Sequence, residues 1–295
     1  MFDGGIIIRK IGIESGAYIR SWDTDFEAAF KKMRLHGFDC IDLNLCEVCN
    51  TPINIYMKTP EEFERILKDV KAAADKEGIE IYQTHGPWRH PPKDATEEDR
   101  AEWRAYMERG MYGNYLLGCK YFVIHPIMPF GTGAEPDSEM FYKLNYEFFK
   151  SLIPTAEKYG VVICVENMPF VAHSISRPVD IANFVKDLDS DCIAMCLDTG
   201  HAEIQKVKAA DAVRAMKDKL VTLHVHDNDT YGDRHECPFF GALNWADFRD
   251  ALRECVDESV PVMLETTPGK AQIPTELRDM FLPCFAAAAR WIANS

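Results

Sequence analysis

The chain has 295 residues, 47% of them hydrophobic and 27% charged, with a formal net charge of -14. That length holds one large α/β barrel or two modest domains, and the acidic balance, with no Lys/Arg cluster to offset it, disfavours nucleic acid as a partner. No apolar run approaches the roughly 20 residues that span a bilayer, and "MFDGGIIIRK" has neither a basic leader nor a cleavage site, so the chain reads as cytoplasmic with no membrane partner.

Short β-type runs recur along the chain, each followed by a helical segment. "KIGIES" (10–15) comes first, then a helix that stops at Gly37, then "FDCIDLN" (38–44). The single C-x-x-C, Cys46 to Cys49, has no second pair to complete a four-ligand zinc site. Thr59, Pro60 and Glu62 form a capping box with Pro at the first helical position, and that helix ends at Gly78. "IEIYQTH" (79–85) follows, then a long amphipathic helix opened by Thr96 with Asp99 and running through Trp103 and Met107. After "KYFVIHP" (120–126) comes a helix ended by Gly160. The series closes with "VVICVEN" (161–167), "CIAMCLD" (192–198), "LVTLHVHD" (220–227) and "PVMLET" (261–266). A final helix is expected to kink at Pro283. The ten cysteines are scattered, and Cys164, Cys192, Cys196 and Cys284 sit in apolar runs as reduced core thiols do.

Eight β-then-α units without a linker predict a single (β/α)8 TIM barrel over residues 1–295, with its active site at the C-terminal ends of the strands. An open doubly wound sheet is the alternative. It lacks the glycine-rich turn after an early strand that such sheets use to hold a nucleotide.

The last residues of the predicted strands carry the chemistry. His85 ends the third, His125 the fourth and Glu166 the fifth; Asp198 with His201 ends the sixth, His224 and His226 the seventh, and Glu265 the eighth. A barrel brings these ends to one mouth, so apolar strands deliver carboxylates and imidazoles to one cavity. That donor set suits Mn, Co, Zn or Mg. Each residue alone has a plainer explanation: His85 or His125 as a satisfied buried histidine, Asp198 as a helix cap. One cause, a metal site, accounts for all of them together.

With "VEN", "LDTGH", "LHVHDN", "GDRHE" and "LET" in this order at these strand ends, the chain resembles the xylose isomerase-like TIM barrel superfamily. That group includes sugar phosphate isomerase/epimerase-like proteins, ketose 3-epimerases, hydroxypyruvate isomerase and endonuclease IV. The resemblance extends from the strand at Ile11 to that at Leu264. Its epimerase branch implies one divalent ion (Mn, Co, Mg or Zn) held by Glu166, Asp198, His224 and Glu265, with His226 as the alternative to His224. It also implies substrate contacts from His201 and Arg234, and sugar-handling relatives use counterparts of His85, His125 and the "DRH" element, Asp233 to His235, in the same way. The endonuclease IV branch implies three zinc ions on His85, His125, Glu166, Asp198, His201, His224, Asp233, His235 and Glu265. Sugar chemistry is favoured, because "HPIMP" and "DTGHAEIQ" replace the nuclease's glycine-rich phrases and the acidic charge opposes DNA.

Proton transfer at a carbon beside a carbonyl needs a base, a group to return the proton and an electrophile to hold the enediolate. A metal chelating the carbonyl and hydroxyl oxygens is that electrophile. Glu166 and Glu265, across the mouth, are the expected catalytic pair; the stereochemical outcome, epimerisation or aldose-ketose isomerisation, stays open. Trp22, Trp88 and Phe170 are candidates for an apolar wall against a sugar, or for ordinary barrel packing. Lys270 is the one basic candidate for a substrate phosphate. A barrel that binds a small ligand without catalysis is a third reading, and a homo-oligomer is compatible with all of them.

Overall fold

The structure, a computed structural model, describes residues 9–45, 54–88, 94–266 and 273–294. Cys46, Cys49 and Lys270 lie outside the described residues. All eight expected strands are present: β1 (Ile11–Glu14), β2 (Cys40–Asn44), β3 (Glu80–His85), β4 (Tyr121–Ile124), β5 (Val162–Glu166), β6 (Ile193–Asp198), β7 (Leu220–His224) and β8 (Val262–Leu264). They lie in the order β7-β6-β5-β4-β3-β2-β1-β8. Val225 joins the two ends: its N–H donates to Met263 O (2.8 Å) and its carbonyl accepts from Glu265 N–H (3.1 Å). The sheet is thereby a closed single (β/α)8 barrel, and its closure sets Glu265 beside the end of β7.

The outer ring comprises α1 (Phe26–Leu35), α2 (Pro60–Glu77), α3 (Glu97–Leu117), α4 (Ser138–Tyr159), α5 (Pro178–Leu188), α6 (Thr199–Ile204), α7 (Ala209–Met216), α8 (Trp245–Cys255) and α9 (Thr275–Ala293). The expected capping box forms at Thr59, and the opening at Thr96 is a second one: Thr59 Oγ1 accepts from Glu62 N–H, Thr96 Oγ1 from Asp99 N–H, and each acidic side chain returns to the cap's own N–H. Gly78 and Gly160 end their helices in the left-handed conformation that glycine adopts without steric penalty. Two helices rather than one separate β6 from β7, and α9 runs through Pro283. Among the described residues no helix is long and apolar enough to cross a membrane.

The main core lies between sheet and helices, where Phe30, Phe63, Phe122, Phe149, Phe184 and Phe248 are almost wholly buried. Strand periodicity divides β2 accordingly: Ile41 and Leu43 join that core, whereas Cys40 packs with Tyr82 and Met263 inside the barrel. The interior is tight. A Cβ on Gly12 would lie 2.5 Å from Met263 Sδ and 2.8 Å from Cys40 O, so β1 tolerates only glycine there. All described cysteines are free thiols; Cys164 and Cys196 are buried as expected, whereas Cys192 is half-buried and Cys284, on the outer helix α9, is exposed.

Candidate functional site

Parallel register carries the functional side chains to one rim: Asn44 pairs with His85, His85 with Val123, Glu166 with Cys196 and Asp198 with His224. Glu166 is central and 1% exposed. Its Oε2 lies 3.1 Å from His125 Nε2 and 3.6 Å from His85 Nε2, and its Oε1 lies 3.1 Å from His224 Nδ1 and 3.5 Å from His201 Nδ1. Glu265 Oε2 is 3.5 Å from the same His224 Nδ1.

Asp198 caps α6 and also faces the cluster. Its Oδ1 caps α6 by accepting from His201 N–H (2.6 Å), while its Oδ2 lies 3.0 Å from His226 Nε2. Asn167 clamps the backbone of Asp198 from both sides, donating to its carbonyl (3.0 Å) and accepting from its N–H (2.8 Å). The Asn of "VEN" is therefore what ties the β5 rim to the β6 rim.

Two ligand-capable groups share Glu166 and His224: one adds Asp198 and Glu265, the other His85. A third group contains His201, His226, Asp233 and His235, and in each group the donor atoms lie within 4.8 Å of one another. The histidine closest in sequence to His224 thus belongs to a neighbouring cluster, where its ring stacks on His235 at 4.2 Å. Four imidazoles in these groups direct Nδ1 at a backbone carbonyl: His85 at Gly86 O (2.9 Å), His201 at Asn167 O (2.8 Å), His226 at Asp227 O (3.4 Å) and His235 at Glu265 O (2.9 Å). A carbonyl only accepts, so Nδ1 carries the hydrogen and, in the neutral ring, Nε2 carries the lone pair, as in metal-ligating histidines.

The charges are strongly interdependent. Burial alone would raise Glu166, but the imidazoles of His224 and His125 outweigh it and hold the carboxyl well below its usual range. Against burial, His201 and His226 bring Asp198 down to about 2. His201 is pushed up to about 10, because Asp198 and Asp233 together overcome its burial. Glu265 goes the other way: burial raises it, and the nearby histidines only partly compensate. Burial, followed by the charge of Glu265, also lifts Glu14 at the end of β1 to about 7.

A divalent cation fits these residues. Glu166 Oε1, His224 Nδ1 and Glu265 Oε2 are buried polar atoms without a hydrogen-bond partner, although they approach each other to 3.1 and 3.5 Å. Leaving such atoms unsatisfied is expensive, and a cation among them satisfies all three at once.

Around this centre, Trp88 meets His125 edge-on at 4.7 Å, and Phe170 packs on His173 at 5.1 Å. Trp22 is packed against the main core. Arg234 stands apart from the cluster: its guanidinium lies 2.5 Å from Asp229 and 3.8 Å from Glu236, with the side chain 53% exposed. Residues that sequence reasoning did not single out are Glu14, Asp42, Gln83 and Asn167. An acidic or amide residue within or directly after an otherwise apolar strand was the available signal.

The loop bearing Asp233 and His235 hangs on Asp227. Its carboxylate accepts from the N–H groups of Asn228 (2.9 Å), Phe239 (3.0 Å) and Leu243 (3.1 Å) and from Trp245 Nε1 (2.8 Å). His235 itself has φ 50, a left-handed conformation that a non-glycine residue holds only when its surroundings impose it. Replacing Asp227 with Ala strands four donors around a charge-assisted hub, so we expect a loss of about 3 kcal/mol or more in urea unfolding. Asp227→Asn should lose less.

Comparison with known proteins agrees with this geometry. The D-psicose 3-epimerase of Ruminiclostridium cellulolyticum is 23% identical over 249 residues, 83% of this chain and 80% of its own. A probable endonuclease 4 of Metamycoplasma arthritidis is 29% identical over 183 residues, 56% of this chain and 64% of its own. Among solved structures, the IOLI protein with a binding zinc atom superposes with a TM-score of 0.74 at 17% identity, covering 97% of this chain and 99% of that one. The family model described as xylose isomerase-like TIM barrel matches residues 25–283, and the chain belongs to that family.

Proposed function

We propose that this protein is a divalent-metal-dependent isomerase or epimerase of a sugar or related polyhydroxy carbonyl compound. The observation that carries the reading is the convergence of Glu166 and Glu265, from strands across the mouth, on one His224 nitrogen with Asp198 in the same group. The similarity to a D-psicose 3-epimerase supports the substrate class. Glu166, Asp198, His224 and Glu265 would hold the ion, whose chemistry when bound is Lewis-acid polarisation of the substrate's carbonyl and hydroxyl oxygens.

Glu166 and Glu265 approach the same His224 nitrogen from different strands, which offers two carboxylates to one bound substrate. Such a pair can exchange one proton with a carbon held between them. One carboxylate takes the proton from the carbon beside the carbonyl, the C–H electron pair becomes the C=C of the enediolate, and a proton is returned to carbon from the other carboxyl or from the first. Return to the opposite face of the same carbon inverts it; return to the neighbouring carbon interconverts aldose and ketose. His85, His125, His201 and His235 would hydrogen-bond substrate hydroxyls, with Trp88, edge-on to His125, as the apolar wall.

A second reading is a nuclease with three ions, favoured by the third ligand-capable group at His201, His226, Asp233 and His235. One experiment separates the two. Metal analysis of the purified protein is combined with incubation in deuterated water with a panel of ketoses and aldoses, and with an abasic DNA duplex at low salt, where attraction to DNA is greatest. We expect about one tightly held equivalent, deuterium beside the carbonyl of one sugar and an intact duplex. Three equivalents with efficient incision would establish the nuclease instead.

A further inference from the structure

Directly beneath the rim, on the barrel axis, lies a carboxylate that neither the metal set nor the substrate contacts include. Asp42, the third residue of β2, is 2% exposed. Its Oδ2 sits 2.8 Å from His224 Nε2 and accepts from Gln83 Nε2 at 2.9 Å. Gln83 Nε2 also reaches Leu223 O (3.3 Å), and since both its partners are acceptors, the amide is oriented with its nitrogen toward Asp42. The imidazole of His224 lies parallel to that of His85, with centroids 5.4 Å apart and planes inclined by 6°.

We propose that Asp42 is a positioning residue that holds His224 in the Nε2–H form and thereby aims Nδ1 at Glu166 and Glu265. A carboxylate oxygen accepts and does not donate, so the nitrogen facing Asp42 keeps its hydrogen and the other nitrogen is the one available to a cation. This is the reverse of His85, His201 and His235, whose Nδ1 faces a carbonyl, so that in the neutral ring Nε2 carries the lone pair. His224 therefore needs a different partner from its neighbours, and β7 supplies none: β2 does, from across the barrel. Gln83 fixes that partner in turn, and stacking on His85 resists rotation of the ring. The anionic acceptor also strengthens the imidazole as a donor toward a cation, which is the usual effect of a carboxylate behind a metal-bound histidine.

This inference rests on the proposed metal centre, and the test keeps the two apart. Asp42→Leu removes the acceptor; Asp42→Asn is isosteric and can present its amide oxygen to the same two donors, with the NH2 where Oδ1 now stands unpartnered. Zinc affinity is measured by chelator competition, and the ring nitrogens are observed by NMR on protein with labelled histidine, metal-free and zinc-loaded. We expect affinity to fall about 10- to 100-fold in Asp42→Leu and less in Asp42→Asn. The hydrogen-bonded Nε2–H signal of His224 should be lost in the first variant and kept in the second, in the metal-free protein as well. Wild-type affinity and an unchanged His224 signal in Asp42→Leu would overturn the proposal. Should Asp42→Leu not fold, a zinc-loaded wild type in which His224 is metallated at Nε2 overturns it equally. Failure of the wild type to bind zinc defeats the metal reading alone, because the metal-free ring signals still decide what Asp42 does.

Discussion

Glu166→Gln and Glu265→Gln should each slow hydrogen–deuterium exchange at the substrate carbon by about 100-fold or more, the usual share of a general base or acid. Gln keeps the length of the side chain and a neutral oxygen but cannot hold the proton. Glu166 is the more sensitive position. It is buried against four imidazoles, at 3.1 Å from His125, 3.1 Å from His224, 3.5 Å from His201 and 3.6 Å from His85, and a neutral amide there also removes the charge that balances them. Partial loss of the ion would mimic loss of the base, so metal content is measured on the same samples. If both metal-replete variants exchange as fast as wild type, neither glutamate moves the proton, and the proposed chemistry is wrong even with barrel and ion in place.

Asp198→Ala should reduce bound metal from about one equivalent to a trace after mild chelation. Two losses combine at this residue. The alanine cannot ligate, and α6 loses the cap on His201 N–H, which by itself is worth about 1 kcal/mol. The stabilisation by added metal, about 2.7 kcal/mol when free metal is 100-fold above Kd, should vanish with it. Asp198→Asn, which keeps a capping oxygen, separates the contributions: it restores α6 while leaving the charge deficit at the ion. The pH dependence has a definite sign. Despite its burial, His224 in the metal-free cluster is held protonated well above its ordinary range by the acidic groups around it, including Glu265, Glu166 and Asp42. A cation must displace that proton, so wild-type affinity falls as pH falls and rises as pH rises. An Asp198→Ala protein that retains a full equivalent would remove Asp198 from the metal set.

Much of the fold was legible in the chain because it is encoded locally. Apolar runs closed by capping boxes at Thr59 and Thr96 and by Gly78 and Gly160 repeat the β-then-α unit eight times, and a right-handed crossover has one way to return to the sheet. The site residues that could be named, from His85 to Glu265, share one signal: an ionisable group at the end of an apolar strand, where an unpaired charge would be costly. Family resemblance then sorted those groups into ligands and substrate contacts.

What the sequence left open depends on which atoms meet across the barrel. Asp42 and His224 are 182 positions apart and touch only because closure brings β2 and β7 around one axis; in the chain, Asp42 is one polar residue in "CIDLN". His224 and His226 are equivalent by composition, but their side chains sit in different clusters, the first with Glu166 and Glu265, the second against Asp198 and His235. The guanidinium of Arg234 could have faced the mouth as readily as it faces Asp229 and Glu236. Sequence by itself determined the strand order, the rim and the types of group on it, since these follow from periodicity and punctuation. Tertiary structure alone decided which nitrogen faces which carboxylate, because side-chain direction at a barrel mouth is set by closure and packing between distant strands.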